Sequence, residues 1–325
     1  MRPDEIPAAV EAAHGRIARH IIETPLRRSP ALSLKAGADV ALKLENVQVT
    51  SSFKARGATN KVMSLSAGER ARGIVTASSG NHGAATAHAL GATGTKGLVF
   101  IPRTTPEVKV AAIRMLGAEV RFHDGDSGGA EIAARQHAEE NGLTFISPYN
   151  DPDVIAGQGT IGLEILKAMP DVGTVVVSVG GGGLISGIAG YLKARKPDVR
   201  IIGASPANDH ALCLSVKAGR VVEHVGARDT LSDGTAGGVE PEAITLPLAA
   251  ALVDDWVLVS EEEIADAMRF ALSSESQMIE GAAGVAIAAF GKRLAEAPQT
   301  YRGRRTAIVV CGSRIDPKKL TSIIR

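Results

Sequence analysis

Aromatic residues make up only 3% of this 325-residue chain, with one Trp, three Tyr and six Phe. So few rings leave little with which to build a base-stacking surface for nucleic acid. An excess of one charge is also missing. Lys and Arg number 36 against 35 Asp and Glu, a formal net charge of +1. That balance gives no electrostatic reason for a nucleic-acid or anionic-membrane partner. Cysteine is scarce, with Cys213 and Cys311 alone. Two thiols cannot make a disulfide framework and no His/Cys spacing suggests zinc, so a cytoplasmic, reducing setting is expected. Met1 to Pro7 includes Asp4 and Glu5 and no apolar block, unlike a secretory signal. One uncharged span, Val172 to Leu192, reaches membrane length, but Gly180 to Gly183 interrupt it. Each glycine costs about 1 kcal/mol in a helix interior, so a strand, a glycine turn and a helix fit better. A soluble protein is expected.

Glycine is what the chain has in excess, 36 residues, well above the ~7% of ordinary proteins. Backbone must therefore approach something closely. The remaining composition, 45% apolar and 22% charged, is that of a globular protein, and the length suits about two domains.

Short β-branched runs alternate with segments of helical period. Strands are predicted at 40–44, 73–77, 97–101, 118–122, 174–179, 199–204, 256–259 and 306–310. Helical patterns lie between them at 82–90, 106–115, 130–141, 184–194, 261–272 and 283–295. Unbroken apolar strands with intervening helices indicate parallel sheets covered on both faces, and eight strands suggest two αβ layers. Pro148 and Asn150-Asp151-Pro152 supply turn chemistry for a crossover near 142–152.

Three clusters could carry chemistry. Gly180-Gly181-Gly182-Gly183-Leu184 joins a strand to a helix. Four missing Cβ atoms and converging N–H groups at a helix N-terminus form an anion cradle, best suited to a phosphate. The run lacks both the G-x-x-x-x-G-K-[ST] and the full G-x-G-x-x-G pattern. Ser78-Ser79-Gly80-Asn81-His82-Gly83 also follows a strand and opens a helix. Its hydroxyls, amide and imidazole would hold a substrate carboxylate, although one serine there could simply cap the helix. Lys54, in Ser52-Phe53-Lys54-Ala55-Arg56-Gly57, begins a helix; it is either a solvated surface lysine or, if buried, an amine whose pKa the opposing dipole helps to lower, as a nucleophile needs. Gly125-Asp126-Ser127-Gly128-Gly129 copies the nucleophile pentapeptide of trypsin-like proteases, but in an αβ context it reads as a loop with a helix cap.

Together these clusters resemble the fold-type II pyridoxal-phosphate (PLP) enzymes, specifically the threonine/serine dehydratase and serine racemase branch. The likeness continues, in order, through Glu23-Thr24-Pro25-Leu26, Lys43-Leu44-Glu45-Asn46, Ile155-Ala156-Gly157-Gln158-Gly159-Thr160, Ile279-Glu280-Gly281-Ala282-Ala283-Gly284 and Val310-Cys311-Gly312. The resemblance implies a tryptophan synthase β-like α/β fold: two αβ domains with mainly parallel sheets and PLP between them. Residues 73–149 would form the small, mobile, substrate-binding domain, and 1–72 with 150–325 the large PLP-binding one. It implies that Lys54 links to the cofactor and takes the substrate Cα proton, and that Phe53 lies against the ring. Gly180, Gly181, Gly182, Gly183 and Leu184 would hold the phosphate, Asn81 the ring oxygen, and Cys311 the position facing the ring nitrogen. Ser78, Ser79, Asn81 and His82 would anchor the substrate carboxylate, with Gly234 close by.

The implied reaction is β-elimination of a 3-hydroxy amino acid, threonine or serine, to a 2-oxo acid and ammonia, with the cofactor phosphate helping the hydroxyl depart. Ser79 opposite Lys54 also leaves a racemase open, and a 3-hydroxyaspartate or hydroxyectoine-derived substrate is a further alternative. A homodimer is the usual family state. The chain departs from the family at its divalent-cation stretch, where Ser205 and Ala211 replace acids. No metal is expected, Asp209 and His210 being the only weak substitutes. Arg314 replaces the usual Asn. An inward guanidinium there would admit a second carboxylate, but a solvated, outward one is expected. The chain stops at Arg325 without an appended regulatory module, which favours a catabolic or specialised dehydratase.

Overall fold

In the computed structural model, which describes residues 1–324, ten strands form two sheets. They are β1 (Leu26–Arg28), β2 (Val40–Leu44), β3 (Ile74–Ala77), β4 (Gly97–Pro102), β5 (Glu119–His123), β6 (Thr144–Phe145), β7 (Thr174–Ser178), β8 (Arg200–Pro206), β9 (Asp255–Val259) and β10 (Thr306–Val310). The larger sheet has the order β1-β2-β10-β7-β8-β9 and the smaller β5-β4-β3-β6. Every pairing is parallel except β1 with β2. Side chains of β2, β7 and β10 are buried at every position, which is why these strands read as mainly apolar runs, with Lys43 of β2 the charged exception. Exposed or half-exposed β5 lies at an edge.

The eight predicted strands are present, with ends within two residues of expectation. β1 and β6 were not predicted, because three and two residues are too few to display a period. The helix Pro152–Ala168 was not expected; it begins where the irregular segment 146–151, with its turn residues, leaves β6. Asp151 caps it by accepting from the Asp153 and Val154 N–H groups, and Pro152 occupies its first turn. Glycines inside this helix hid its period, and they are there for packing. A Cβ on Gly187 of the neighbouring helix Gly183–Arg195 would fall 2.7 Å from the Gly159 nitrogen.

The central core packs Val175, Val176, Ile308 and Val309 of the large sheet against Ile185, Ile188 and Phe290 of its helices. A second core holds Ile74, Val99 and Ile101 of the small sheet against Ala85, Leu90 and Val62. Val62 belongs to the helix Lys54–Ser64, so this helix lies where the two sheets' layers meet. A wholly buried ion cluster anchors it. Arg56 donates to Glu45 at 2.8 Å and to Glu164 at 2.6 and 2.8 Å. Lys43 pairs with the same Glu164 and donates to the Thr24 carbonyl. Two cations and two carboxylates balance within the low-dielectric interior, as buried charge requires.

Candidate active site

The site lies at the carboxyl ends of β10, β7 and β3, where ligands gather in parallel sheets. The segment entering the Lys54 helix is tied to the exit of β10. Phe53 N–H donates to the Cys311 carbonyl at 3.0 Å, and Ser52 bridges Gly312. Phe53 is half-buried, with the Lys54 ammonium 5.1 Å from its ring centre. Lys54 is the first residue of its helix, and its Nζ donates to the Pro148 carbonyl at 2.8 Å. Burial is the main influence on this amine and lowers its pKa to about 8, against the opposing pull of Cys311 and Glu280. A buried amine without a carboxylate bonded to it is suited to carbonyl chemistry.

Tyr149, next to Pro148, connects the lysine to the glycine run. Its ring lies where a Gly181 Cβ would be, so any side chain there would collide with it. Gly182, at φ +88, is the N-cap of the helix Gly183–Arg195, and no side chain caps that terminus. Its N–H groups are therefore open to an anion. Leu184 is buried in the central core and holds the first turn in place. Gly180 approaches the Thr235 backbone, where an added Cβ would be 2.7 Å from the carbonyl oxygen.

The second loop behaves similarly. The helix Asn81–Thr93 starts from Gly80 without a side-chain cap, so neither Ser78 nor Ser79 serves as one. Ser78 Oγ accepts from the Gly80 N–H at 3.1 Å, and Ser79 is half-buried. His82 is buried, and its Nε2 donates to the Ile146 carbonyl at 3.1 Å. Burial and the Lys54 charge push its pKa down to about 3. His82 thus brings no positive charge to a carboxylate, and one ring nitrogen is committed to backbone.

Glu280 joins these loops and was quoted in the sequence motif without a role. Both its oxygens accept from Asn81 Nδ2, at 2.9 and 3.0 Å, and one accepts from the Arg314 N–H at 3.0 Å. A Cβ on Gly234 would lie 3.5 Å from the same carboxyl, so the Ser232–Thr235 turn closes the other side. An acid ahead of the uncharged run Gly281–Gly291 was the available signal. Burial raises Glu280 to about 7, with Asn81 opposing and Asp233 reinforcing the shift. Since this folded value exceeds the ordinary 4.5, the carboxyl's stabilising contribution is complete below about pH 4.5 and disappears as pH rises through 7. In cofactor-free protein, Glu280→Gln is expected to remove a stability loss on the order of 3 kcal/mol between pH 4.5 and 8. Urea midpoints of variant and wild type measured across that range check it; parallel profiles would contradict it.

Cys311 is buried, and its Sγ accepts from Ser178 Oγ at 3.4 Å. Burial pushes the thiol pKa far up, so it stays neutral. Asp209 is used structurally, accepting from the Gly237 N–H at 2.7 Å and facing His224 at 3.6 Å. Among the described residues, no three His, Cys, Asp or Glu are arranged to hold a metal ion. Arg314, expected in solvent, is half-buried. Asp126 of the protease-like pentapeptide caps the helix Ser127–Asn141.

These residues fit pyridoxal phosphate. The uncapped glycine terminus would take the phosphate, the Lys54 amine the carbonyl carbon, and a neutral Cys311 the ring nitrogen. Asn81 Oδ1 is buried without a partner, an orphan acceptor beside the space the group would fill.

Comparison with known proteins agrees. The family described as pyridoxal-phosphate dependent enzyme matches residues 17–312. The L-threonine ammonia-lyase of Thermotoga maritima is 41% identical over 315 residues, covering 97% of this chain and 77% of that protein. The processed threonine deaminase isoform 2 of Solanum lycopersicum superposes with a TM-score of 0.92 at 33% identity, covering 98% of this chain and 86% of that one. Maize serine racemase does so at 0.91 and 30%, covering 97% and 95%. Matched by this family over residues 17–312 and by these relatives over nearly its whole length, the chain belongs to the fold-type II family of pyridoxal-phosphate dependent enzymes.

Proposed function

We propose that this protein removes water and ammonia from a 3-hydroxy amino acid, threonine or serine by default, to leave a 2-oxo acid. The observation that carries the reading is Lys54: a half-buried lysine whose amine, held by the Pro148 carbonyl, is lowered to about 8, close to two uncapped helix termini. Relatives named for threonine deamination add to it. Pyridoxal phosphate, when bound, supplies the carbonyl that joins amines and the ring that withdraws electrons from Cα.

The protein's own groups do the rest. The open N–H groups at Asn81 and His82, with Ser78 and Ser79, orient the substrate carboxylate and place the Cα–H bond toward Lys54. Lys54 as a neutral amine takes the Cα proton, and its lowered pKa makes that form far more accessible near neutrality than in an ordinary lysine. Glycines 180 to 183 would hold the phosphate end, and Phe53 and Asn81 would hold the ring. A neutral thiol at Cys311 would give the ring nitrogen no carboxylate partner, so the bound cofactor would supply a milder electron sink, suited to elimination. Closure of a small lobe, residues 73–149, over the rest would exclude water. A homodimer in the cytoplasm completes the reading.

The test is 2-oxo acid release by cofactor-loaded protein from both enantiomers of serine and threonine. Turnover of an L-enantiomer supports elimination; retention of cofactor with no turnover of any of them would overturn it. Racemisation is a second reading, supported by similarity to maize serine racemase, with Ser79 expected to serve the face opposite Lys54. If it holds, Ser79→Ala lowers exchange of the serine Cα proton for solvent deuterium far more than it lowers elimination from the L-enantiomer. An equal fall in both would remove the racemase role from Ser79.

A further inference from the structure

Arg314 follows β10 by four residues and is attached to the site through its backbone, whose N–H donates to Glu280 at 3.0 Å. The same carboxyl holds Asn81 of the carboxylate loop and borders Gly234. The Arg314 guanidinium is half-buried, yet it makes no hydrogen bond or ion pair among the described residues. Each of the other arginines that is buried or half-buried bonds a protein atom through its side chain. Arg200 and Arg293 do so on Asp255, Arg135 on Glu131, and Arg56 on Glu45 and Glu164. Arg16, Arg27 and Arg70 find Asn60, Glu275 and the Leu65 carbonyl. Arg314 is the exception. A guanidinium partly withdrawn from water is costly without a partner, and its planar fork matches a carboxylate at two points.

We propose that Arg314 receives a second substrate carboxylate, so that the pocket accepts 2-amino-3-hydroxy dicarboxylic acids of the 3-hydroxyaspartate type. This rests on the elimination reading above, in which the open terminus at Gly80–His82 already takes the amino acid's own carboxylate. Glu280 does not fill the role, because its oxygens are engaged by Asn81 and by backbone. Its raised pKa also leaves much of it uncharged near neutrality. The step balances without an oxidant. Cα loses its proton and Cβ loses the hydroxyl as water. The released enamine gains a proton at Cβ, and one water hydrolyses the resulting imine to ammonia and a 2-oxo dicarboxylic acid.

The experiment uses the holoenzyme. The ratio of kcat/KM for 3-hydroxyaspartate to that for threonine is measured in wild type, Arg314→Lys and Arg314→Met, with both threo and erythro forms supplied. Calorimetry compares unreactive succinate with butyrate. The ratio is expected to fall at least about tenfold in the Met variant and less in the Lys variant. Succinate should bind wild type about tenfold more tightly than butyrate, with that advantage gone in Met. An unchanged ratio, or equal binding of succinate and butyrate by wild type, overturns the proposal. The ligand comparison in wild type holds even where a variant fails to fold. Threonine turnover without a dicarboxylate preference removes the Arg314 subsite and keeps elimination. An Arg314-dependent succinate preference without any turnover does the reverse.

Discussion

Lys54→Ala is expected to lower 2-oxo acid formation by about a thousandfold or more, the scale of losing both a covalent anchor and a proton carrier. It should also remove the lysine-bound chromophore from purified protein, which separates a lost linkage from a lost base. The same substitution has an opposite effect on the fold. In the unfolded chain this lysine holds its proton to about pH 10.5, while burial in the folded protein releases it above about 8. The unfolded state therefore binds more protons between these values, and wild-type stability climbs across that window. Below pH 8 the buried ammonium is a liability on the order of 3 kcal/mol. Cofactor-free Lys54→Ala should accordingly be more stable than wild type at pH 7, with the gain shrinking toward pH 10.5. Urea unfolding at both pH values checks this. A variant that keeps its turnover, or is less stable at pH 7 than wild type, contradicts the placement of a buried, unpaired amine.

Arg56→Met is expected to destabilise the protein by about 3–5 kcal/mol, the usual result of removing one partner from a buried ion cluster. Among the described residues, Glu45 would lose its only cation at hydrogen-bond distance, and Glu164 would keep only Lys43. In urea the midpoint should move down by about 1–2 M. Because the helix that begins at Lys54 carries Arg56 on its first turn, cofactor affinity should drop as well. An unfolding midpoint within experimental error of wild type would mean that the cluster is not what seats this helix. Arg56 appeared in the sequence only as part of a motif, two positions after the lysine. Nothing local distinguishes it from a solvated arginine, since its partners lie 11 and 108 residues away.

The sequence by itself determined most of the local order: apolar strands, the glycine turn after β7, the polar turn after β3, and a lysine at a helix start. These are short-range properties, written in side-chain period and in the few residues a tight turn accepts. It also carried the family likeness, because those turns recur in one order along the chain. Short β1 and β6 escaped notice, and so did the helix after Asp151, whose internal glycines serve packing against another helix. Tertiary structure alone decided that β10 lies between β2 and β7, bringing Cys311 beside Ser178 and next to the lysine helix. It also brought Glu280 to Asn81 across 199 residues and the Pro148 carbonyl to Lys54 across 94. Asp209 was consumed as a loop staple, and Arg314 was turned half out of water. Each of these depends on burial and on partners distant in the chain. Desolvation moves a lysine to about 8 and a glutamate to about 7 only once the fold has excluded water, so the chemistry became visible only in three dimensions.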